Sequence, residues 1–187
     1  MSIKVAVRVR PFNQRERKMK TELCVKMDGN TTTLLHPQKK RRTFAFDYSF
    51  WSHDEFKEDQ EGVLKPTSDK YKDQAYVYDK VGKEILESAW AGYHCCLFAY
   101  GQTGAGKSYS MIGYGENRGI VPLASQEIFD RIKAESSESV VRELTVSMLE
   151  IYNEKVHDLL MPISKRKEVS GVLGFGIFGG GREVLGP

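Results

Sequence analysis

One eight-residue stretch constrains the fold of this chain more than any other: GQTGAGKS, at residues 101–108. It fits the pattern G-x-x-x-x-G-K-[ST] at every position. The stretch CCLFAY (residues 95–100) precedes it and is apolar on both faces, as in a central strand that helices cover on both sides. A helix is expected to begin near Lys107. This order of strand, glycine loop and helix predicts a phosphate-binding loop in an α/β domain.

The chemistry of phosphate binding explains each residue type in the loop. Gly101, Gly104 and Gly106 permit a tight turn and keep side chains away, so that several backbone N–H groups can point at one anion. The positive end of the following helix dipole points to the same place. Lys107 supplies a cation for the β and γ phosphates, and the Ser108 hydroxyl suits a magnesium ion that also binds phosphate oxygens. The motif favours nucleoside triphosphate binding over a glycine turn beside a surface lysine.

Composition sets outer bounds on the function. The 187 residues suffice for one domain, and the formal net charge of +3 is too small to argue for a polyanionic partner, so no nucleic acid is expected. Cys24, Cys95 and Cys96 are odd in number and are interpreted as reduced core residues of an intracellular protein. The N-terminus shows no signal peptide, and no stretch is long and apolar enough to span a membrane.

Periodicity predicts the strands. IKVAVRVRP (residues 3–11) alternates with period two, with Ile3, Val5, Val7 and Val9 on one face. TTTLL (31–35) and FAFDYSF (44–50) are expected to form a strand pair joined by an exposed basic loop, HPQKKRR. The four basic residues are interpreted mainly as a solvated loop tip, and binding to an acidic partner surface is the less favoured alternative. Residues 51–70 are predicted to be a surface insertion. VVRELTVSMLEIYN (140–153) is the second strong strand region.

Two helices are predicted from three- and four-residue spacing of apolar side chains. The first begins near residue 71 and ends near Gly92, and the second opens at Pro122. Their apolar positions are Tyr78, Val81, Ile85, Leu86 and Ala89 in the first helix, and Leu123, Ile128, Phe129 and Ile132 in the second. Together the elements predict a P-loop NTPase-type α/β fold with a mostly parallel central sheet flanked by helices.

Four motifs in order resemble the kinesin motor domain: RVRPFN (8–13), FDYSFWSH (46–53), FAYGQTGAGKS with the following YSM (98–111), and LEIYNEKVHDLL (149–160). The second is most similar to the vesicle-transporting, often monomeric kinesin subfamily. The resemblance runs from about Ile3 to about Pro162. It implies ATP with Mg²⁺, microtubules as partner, and a location in the cytoplasm on the cytoskeleton. An unrelated P-loop kinase or GTPase is disfavoured, because the loop lies about a hundred residues from the N-terminus and no N-K-x-D motif occurs.

The resemblance also implies residue roles. The R-x-R-P turn of kinesins borders the adenine, which suggests Arg8, Arg10 and Pro11. The residue after the P-loop serine lies on the other side of the base, which suggests Tyr109. The alternatives are an edge-strand surface for the arginines and a core position for Tyr109. The predicted nucleotide-binding residues are Arg8, Arg10, Pro11, Gly101, Gln102, Thr103, Gly104, Ala105, Gly106, Lys107, Ser108 and Tyr109, with Ser108 also a magnesium ligand.

The chain departs from the kinesin pattern after Pro162. Neither N-x-x-S-S-R-S-H nor D-L-A-G-S-E, the family's γ-phosphate-sensing strings, occurs in the 187 residues. The expectation is therefore an incomplete, truncated motor domain at residues 1–162 and a glycine-rich, disordered tail at residues 163–187. No catalytic residue is predicted. Two hypotheses stay open: the N-terminal portion of a microtubule-stimulated ATPase, or a fragment that only binds nucleotide and is inactive alone. Cargo, direction of movement and oligomeric state are not predicted.

Overall fold

The computed structural model of the chain describes residues 3–36, 38–135, 140–162 and 177–183. It contains two compact units, Met1–Glu127 and Ile128–Pro187. The predicted division at Pro162 therefore does not coincide with this boundary. The glycine loop at residues 101–108 lies in the first unit.

The first unit begins with a parallel strand pair. Strand β1 (Ala6–Val9) lies beside β5 (Tyr48–Trp51), with Ala6 opposite Tyr48 and Val9 opposite Trp51. The N-terminal strand was expected to start earlier, but Ile3 and Val5 are exposed and precede β1. Helix α1 (Gln14–Lys18) follows the first strand.

A three-stranded antiparallel sheet lies between these two strands in sequence. Its strands are β2 (Val25–Asp28), β3 (Thr31–His36) and β4 (Lys39–Ala45), in that order. The basic run was predicted to be a loop, which is wrong: it forms the first half of β4, and Lys40, Arg41 and Arg42 are exposed there. Long basic side chains are tolerated at a sheet edge because they keep their charges in water. The predicted strand at residues 44–50 is divided between β4 and β5.

Residues 51–70 carry a small hairpin, β6 (Phe56–Glu58) and β7 (Leu64–Pro66). The Asp59 carboxylate accepts hydrogen bonds from the N–H groups of Glu61 and Val63, which holds the turn. The segment is not a surface insertion throughout, because Trp51 and Ser52 at its start are 5% and 2% exposed. Trp51 is the last residue of β5, and Ser52 follows it directly.

The first predicted helix is one continuous helical segment whose middle turn is π-helical. Helix α2 (Gln74–Val77) passes through a π-helical turn (Tyr78–Gly82) into α3 (Lys83–Trp90). The extra residue of a π turn shifts the buried face relative to a regular helix. Tyr78 and Leu86 are buried as expected, whereas Ala89 is exposed. Gly92, with φ of 89°, follows the helix as predicted.

The core of this unit joins the parallel strands to the helices. Phe50, Val77, Tyr78 and Ile120 form the buried cluster. Partly buried apolar side chains pack against it: Tyr48, Val81, Leu97, Leu123 and Ala124. Burial of this apolar surface fixes how β5 and the α2–α3 segment meet.

The stretch CCLFAY is not a strand, and this prediction is wrong. Residues 93–101 have no assigned helix or strand, and no strand in the described part of the chain pairs with them. Phe98 and Tyr100 are 79% and 95% exposed, and Cys95 and Cys96 are exposed. Cys24 is exposed too, so the cysteines are not core residues. A sequence that is apolar on both faces predicts burial only if neighbours cover both faces.

After the glycine loop and the short helix that follows it, the chain forms a pair of two-residue strands and one long helix. Strands β8 (Gly113–Tyr114) and β9 (Asn117–Arg118) form a tight pair, and helix α5 (Ile120–Ala134) begins two residues before Pro122. Ile128 is buried as predicted, but Phe129 is 57% exposed.

The second unit contains two antiparallel pairs after the end of α5. Strand β10 (Val140–Val146) pairs with β13 (Ile177–Glu183), and β11 (Leu149–Tyr152) pairs with β12 (Lys155–Asp158). The glycine-rich segment was expected to be disordered, yet residues 177–183 form β13. The other residues of the glycine-rich tail, 163–176 and 184–187, lie outside the part of the chain that the structure describes. Among the described strands, β1 and β5 are the parallel pair.

Candidate functional site

The glycine loop adopts backbone angles that its glycines make possible. Gly101, Gly104 and Gly106 have φ values of 148°, 79° and 100°, in a region that side-chain-bearing residues rarely occupy. The N–H of Ala105 donates to the carbonyl of Gln102 at 3.0 Å and closes the turn. Helix α4 (Lys107–Met111) starts directly after Gly106, as predicted. Apart from Gly104 and its two chain neighbours, no heavy atom lies within 4 Å of the position that a Gly104 Cβ would occupy, so the loop is open there.

Lys107 curls back over the loop that precedes it. Its Nζ donates to the carbonyl oxygens of Gly101 at 2.7 Å and Gln102 at 3.0 Å. The ammonium is therefore held within the turn of the loop, where it can exchange carbonyl oxygens for phosphate oxygens. Ser108 is exposed beside it, and the exposed side chains of Gln102 and Thr103 flank the turn.

Arg10 connects the first strand to the loop. Its Nε donates to the carbonyl of Gly104 at 2.6 Å, and its two terminal nitrogens each donate to Glu16 at 2.7 Å. Glu16 also accepts from the N–H of Asn13 in the capping box of α1. The Arg10 hydrogen bonds, and then that of Asn13, lower the pKa of Glu16 to about 2. The middle of the glycine loop, at Gly104, is thus tied to a fork-shaped ion pair.

Arg8 occupies a partly buried position behind the loop. Its Nη1 donates to Gln74 Oε1 at 2.6 Å and to Ser110 Oγ at 3.1 Å, and its Nε donates to Ser52 Oγ at 2.9 Å. Nη2 donates to the carbonyl of Lys72 at 3.4 Å. Burial lowers the pKa of the Arg8 guanidinium. Each of these acceptors is uncharged, so these hydrogen bonds fix the group without neutralising it.

Tyr109 lies against Arg8. The guanidinium carbon is 5.3 Å from the centre of the Tyr109 ring, within the range of a cation–π contact. Tyr114 packs near the same ring at 5.9 Å between centroids. Burial is the main cause that raises the pKa of Tyr109, and it also raises the pKa of the neighbouring Tyr71 to about 12. Tyr109 and Tyr71 therefore stay protonated at neutral pH.

The structure brings most of the predicted site residues together. Arg10 contacts the loop at Gly104, while Arg8 contacts α4 at Ser110 and Tyr109. Pro11 contributes its carbonyl oxygen, which accepts from Arg10 Nη1 at 2.6 Å. The role of each residue towards a nucleotide stays a prediction.

Two residues of this region were missed by the sequence analysis. Gln74 is 7% exposed and bonds Arg8 and the carbonyls of Tyr109 and Asn117. The side chain of Asn117 bonds the backbone of Gly62 and Leu64 in the β6–β7 hairpin. No sequence pattern marks either residue, because their partners are distant in sequence.

The donor set suits a magnesium–nucleoside triphosphate. The loop offers backbone N–H groups and Lys107 for the phosphates, and Ser108 could ligate magnesium. In the part of the chain that the structure describes, no group of three or more His, Cys, Asp or Glu side chains could hold a metal ion. A Ser108 site is not such a cluster, since phosphate oxygens would complete it. Over the same residues, no helix combines the length and apolar character needed to cross a membrane.

Comparison with protein families gives a single assignment. The family model described as the kinesin motor domain matches residues 8–172. This chain belongs to the kinesin motor domain family. The match continues past Pro162, where the predicted resemblance ended.

Individual kinesins agree with this assignment. Kinesin-related protein 1 of Dictyostelium discoideum is 45% identical over 177 residues, which cover 87% of this chain and 8% of the relative. Kinesin-like protein KIF28 of Rattus norvegicus is 47% identical over 163 residues, which cover 85% of this chain and 16% of the relative. Kinesin-like protein KIF13A of Homo sapiens is 45% identical over 176 residues, which cover 89% of this chain and 9% of the relative. The chain spans less than a fifth of the length of these relatives. The predicted likeness to the vesicle-transporting kinesin subfamily is confirmed, because KIF13A and KIF1A are among the relatives.

Solved kinesin structures share the fold. A segment of KIF14 with ADP, in complex with a microtubule, superposes with a TM-score of 0.75 at 38% identity, covering 91% of this chain and 44% of that one. A KIF14 dimer with AMP-PNP on a microtubule gives a TM-score of 0.75 at 41% identity, covering 87% of this chain and 42% of the KIF14 chain. The predicted α/β fold of an incomplete kinesin motor domain is confirmed.

Proposed function

We propose that this chain is the ATP-binding N-terminal portion of a kinesin motor, whose complete motor domain hydrolyses ATP and moves along microtubules. The observation that carries the proposal is the loop geometry: three glycines at positive φ, a helix beginning at Lys107, and the Lys107 ammonium folded against the loop. A loop that only turned the chain would need neither an ammonium at this place nor a hydroxyl directly after it.

Each residue of the site has a defined task in this proposal. Backbone N–H groups of the loop other than that of Ala105 bind the phosphates, and Lys107 leaves its carbonyl acceptors to bind the β and γ phosphate oxygens. Ser108 is a ligand of magnesium, which neutralises phosphate charge when it is bound. Arg8, Arg10, Pro11 and Tyr109 form the side of the site that takes the adenine. The loop thus binds the polyphosphate, and the arginine–tyrosine side selects the base.

Microtubules are the proposed partner of the complete motor domain. The support is family membership, together with two KIF14 structures that were solved in complex with a microtubule. A location on the cytoskeleton, in the cytoplasm, follows from that partner. The proposed nucleotide site lies among the described residues of this chain, and no filament contact is proposed among them.

The experiment that tests the proposal is titration of the chain with a fluorescent ATP analogue in the presence of Mg²⁺. Lys107→Ala removes the side-chain cation of the phosphate site and should weaken binding by about 1.5–3 kcal/mol, as for a hydrogen bond to a charged group. That corresponds to about 10- to 150-fold in Kd. Lys57→Ala is the matched control, since Lys57 is an exposed lysine of β6. Equal affinities of Lys107→Ala and the unmodified chain would refute the phosphate-site assignment.

A further inference from the structure

Gln74 is the most completely bonded buried polar side chain near the glycine loop. It is the first residue of α2, and the Asp73 side chain caps that helix by accepting from the N–H of Tyr76. Gln74 Oε1 accepts from Arg8 at 2.6 Å, while Nε2 donates to the carbonyls of Tyr109 at 2.7 Å and Asn117 at 3.1 Å. One amide therefore joins β1, α4 and β9 to the start of α2.

These hydrogen bonds fix two of the four residues proposed to take the base, Arg8 and Tyr109. Arg8 is held from one side by Gln74 and from others by Ser52 and Ser110, which leaves its guanidinium plane little freedom. The backbone of Tyr109 is held through its carbonyl, and its ring lies 5.3 Å from the Arg8 guanidinium carbon. A ring and a guanidinium held in this way form a preorganised surface, whose ordering cost is met during folding and not during binding.

The far side of Gln74 is braced as well. Asn117, whose carbonyl accepts from Gln74, donates from Nδ2 to the carbonyl of Gly62 at 2.7 Å. Its Oδ1 accepts from the N–H of Leu64 at 2.9 Å. The β6–β7 hairpin thereby holds the carbonyl that orients the Gln74 amide.

The chemistry of an amide is suited to this place. A methionine of similar length would leave two carbonyls and one guanidinium N–H without their partner. A glutamate would still accept from Arg8, but it would neutralise the charge and face the two carbonyls with a carboxylate. Glutamine alone among these three orients the Arg8 guanidinium without neutralising its charge.

We propose that Gln74 is a positioning residue for the base of the nucleotide, acting through Arg8 and Tyr109 and not through the phosphates. The inference rests on the proposed function, because it assigns a further residue to the same site. It makes a distinction between two ligands: ATP, which has a base, and inorganic tripolyphosphate, which has the phosphate chain alone. Loss of Gln74 should weaken the first and spare the second.

The test measures the affinity of the full chain for Mg²⁺–ATP and for Mg²⁺–tripolyphosphate by calorimetry. The unmodified chain should prefer ATP. Gln74→Met should reduce that preference by about tenfold, in line with the loss of hydrogen bonds to a charged group, while tripolyphosphate affinity stays within about twofold. Gln14→Met is the matched control, since Gln14 is exposed at the start of α1. It should leave both affinities unchanged.

A second variant covers the case in which Gln74→Met does not fold. Gln74→Glu keeps the acceptor for Arg8 and loses the donors to Tyr109 and Asn117, so it should also lower the ratio of the two affinities. The ratio is the decisive quantity, because a change of charge near the phosphates alters both ligands together. A double variant adds a check: in the background of Tyr109→Leu, Gln74→Met should change the preference much less.

Each outcome decides between the hypotheses. An unchanged preference in both Gln74 variants overturns the positioning role, and so does a parallel loss of both ligands, which would make Gln74 a support of the whole fold. If the unmodified chain binds both ligands equally, the base-side surface contributes nothing, although phosphate binding stands. If it binds neither ligand, the proposed function fails and the inference fails with it.

Discussion

Replacing Gly82 with alanine sets two effects of opposite sign against each other. Gly82 lies in the π-helical turn and has no unusual φ, so helix propensity alone favours alanine by about 1 kcal/mol. The new Cβ, however, would lie 2.3 and 2.6 Å from two ring carbons of Tyr78 and 3.2 Å from Ile120 Cγ2. The outcome depends on whether the Tyr78 ring can move.

Tyr78 has little room to move. It is 7% exposed in the core cluster with Phe50, Val77 and Ile120, and its hydroxyl donates to Glu127 at 2.6 Å. Moving the ring by about 1 Å would repack the cluster, at a cost of about 1–3 kcal/mol for overpacking. It would also weaken the hydrogen bond to the carboxylate, which contributes about 1.5 kcal/mol or more. These costs exceed the gain in propensity, so Gly82→Ala should lower the free energy of unfolding by about 2 kcal/mol.

Urea unfolding followed by circular dichroism measures this change. The same substitution made in a Tyr78→Ala background is the control, because the ring that the new methyl group meets is then absent. There Gly82→Ala should stabilise the helix by about 1 kcal/mol, so the sign of the effect reverses between the two backgrounds. A stabilising Gly82→Ala in the unmodified chain would show that the turn and the ring do not constrain each other.

Three further predictions concern the site and its surroundings. The pKa of Glu16 is lowered from its ordinary 4.5 to about 2 in the folded chain, so the stability that the ionised carboxylate contributes is complete above about pH 4.5 and is lost as the pH falls through about 2. Glu16→Gln should therefore flatten the dependence of the urea midpoint on pH between these values. An unchanged dependence would exclude the Arg10–Glu16 ion pair as its source. Ser108→Ala should weaken ATP binding in Mg²⁺ but not in EDTA, and an equal loss in both buffers would argue against a metal ligand. Phe98→Ser with Tyr100→Ser should reduce binding of a hydrophobic dye, because both side chains are almost fully exposed, and unchanged dye fluorescence would place the dye elsewhere.

The local conformation of the glycine loop at residues 101–108 could be predicted from sequence. Gly101, Gly104 and Gly106 occupy positive φ, and a helix starts at Lys107, as the motif indicated. These features depend on backbone freedom within eight residues, which the residue types determine. Membership of the kinesin family was equally available, since it rests on four motifs in order.

Segments whose structure depends on their neighbours could not be predicted in the same way. CCLFAY has the composition of a covered strand, yet residues 95–100 are not a strand and Phe98 is exposed. The basic residues before Phe44 suggested a loop, but pairing with β3 makes them part of a strand. Strand formation requires a hydrogen-bonding partner, and the pattern of one segment does not say whether a partner is present.

The sequence by itself determined the conformation of the glycine loop, the family and the residue types of the candidate site. Only the tertiary structure decided what holds those residues in place. Arg8 meets Gln74 across 66 positions of sequence and Ser110 across 102, and Gln74 reaches the carbonyl of Asn117 across 43. No propensity or spacing encodes such pairs, because each depends on how the first strand, the start of α2 and the residues after the loop pack together. A glycine loop is a property of consecutive residues, whereas the groups that brace it are brought together by the fold.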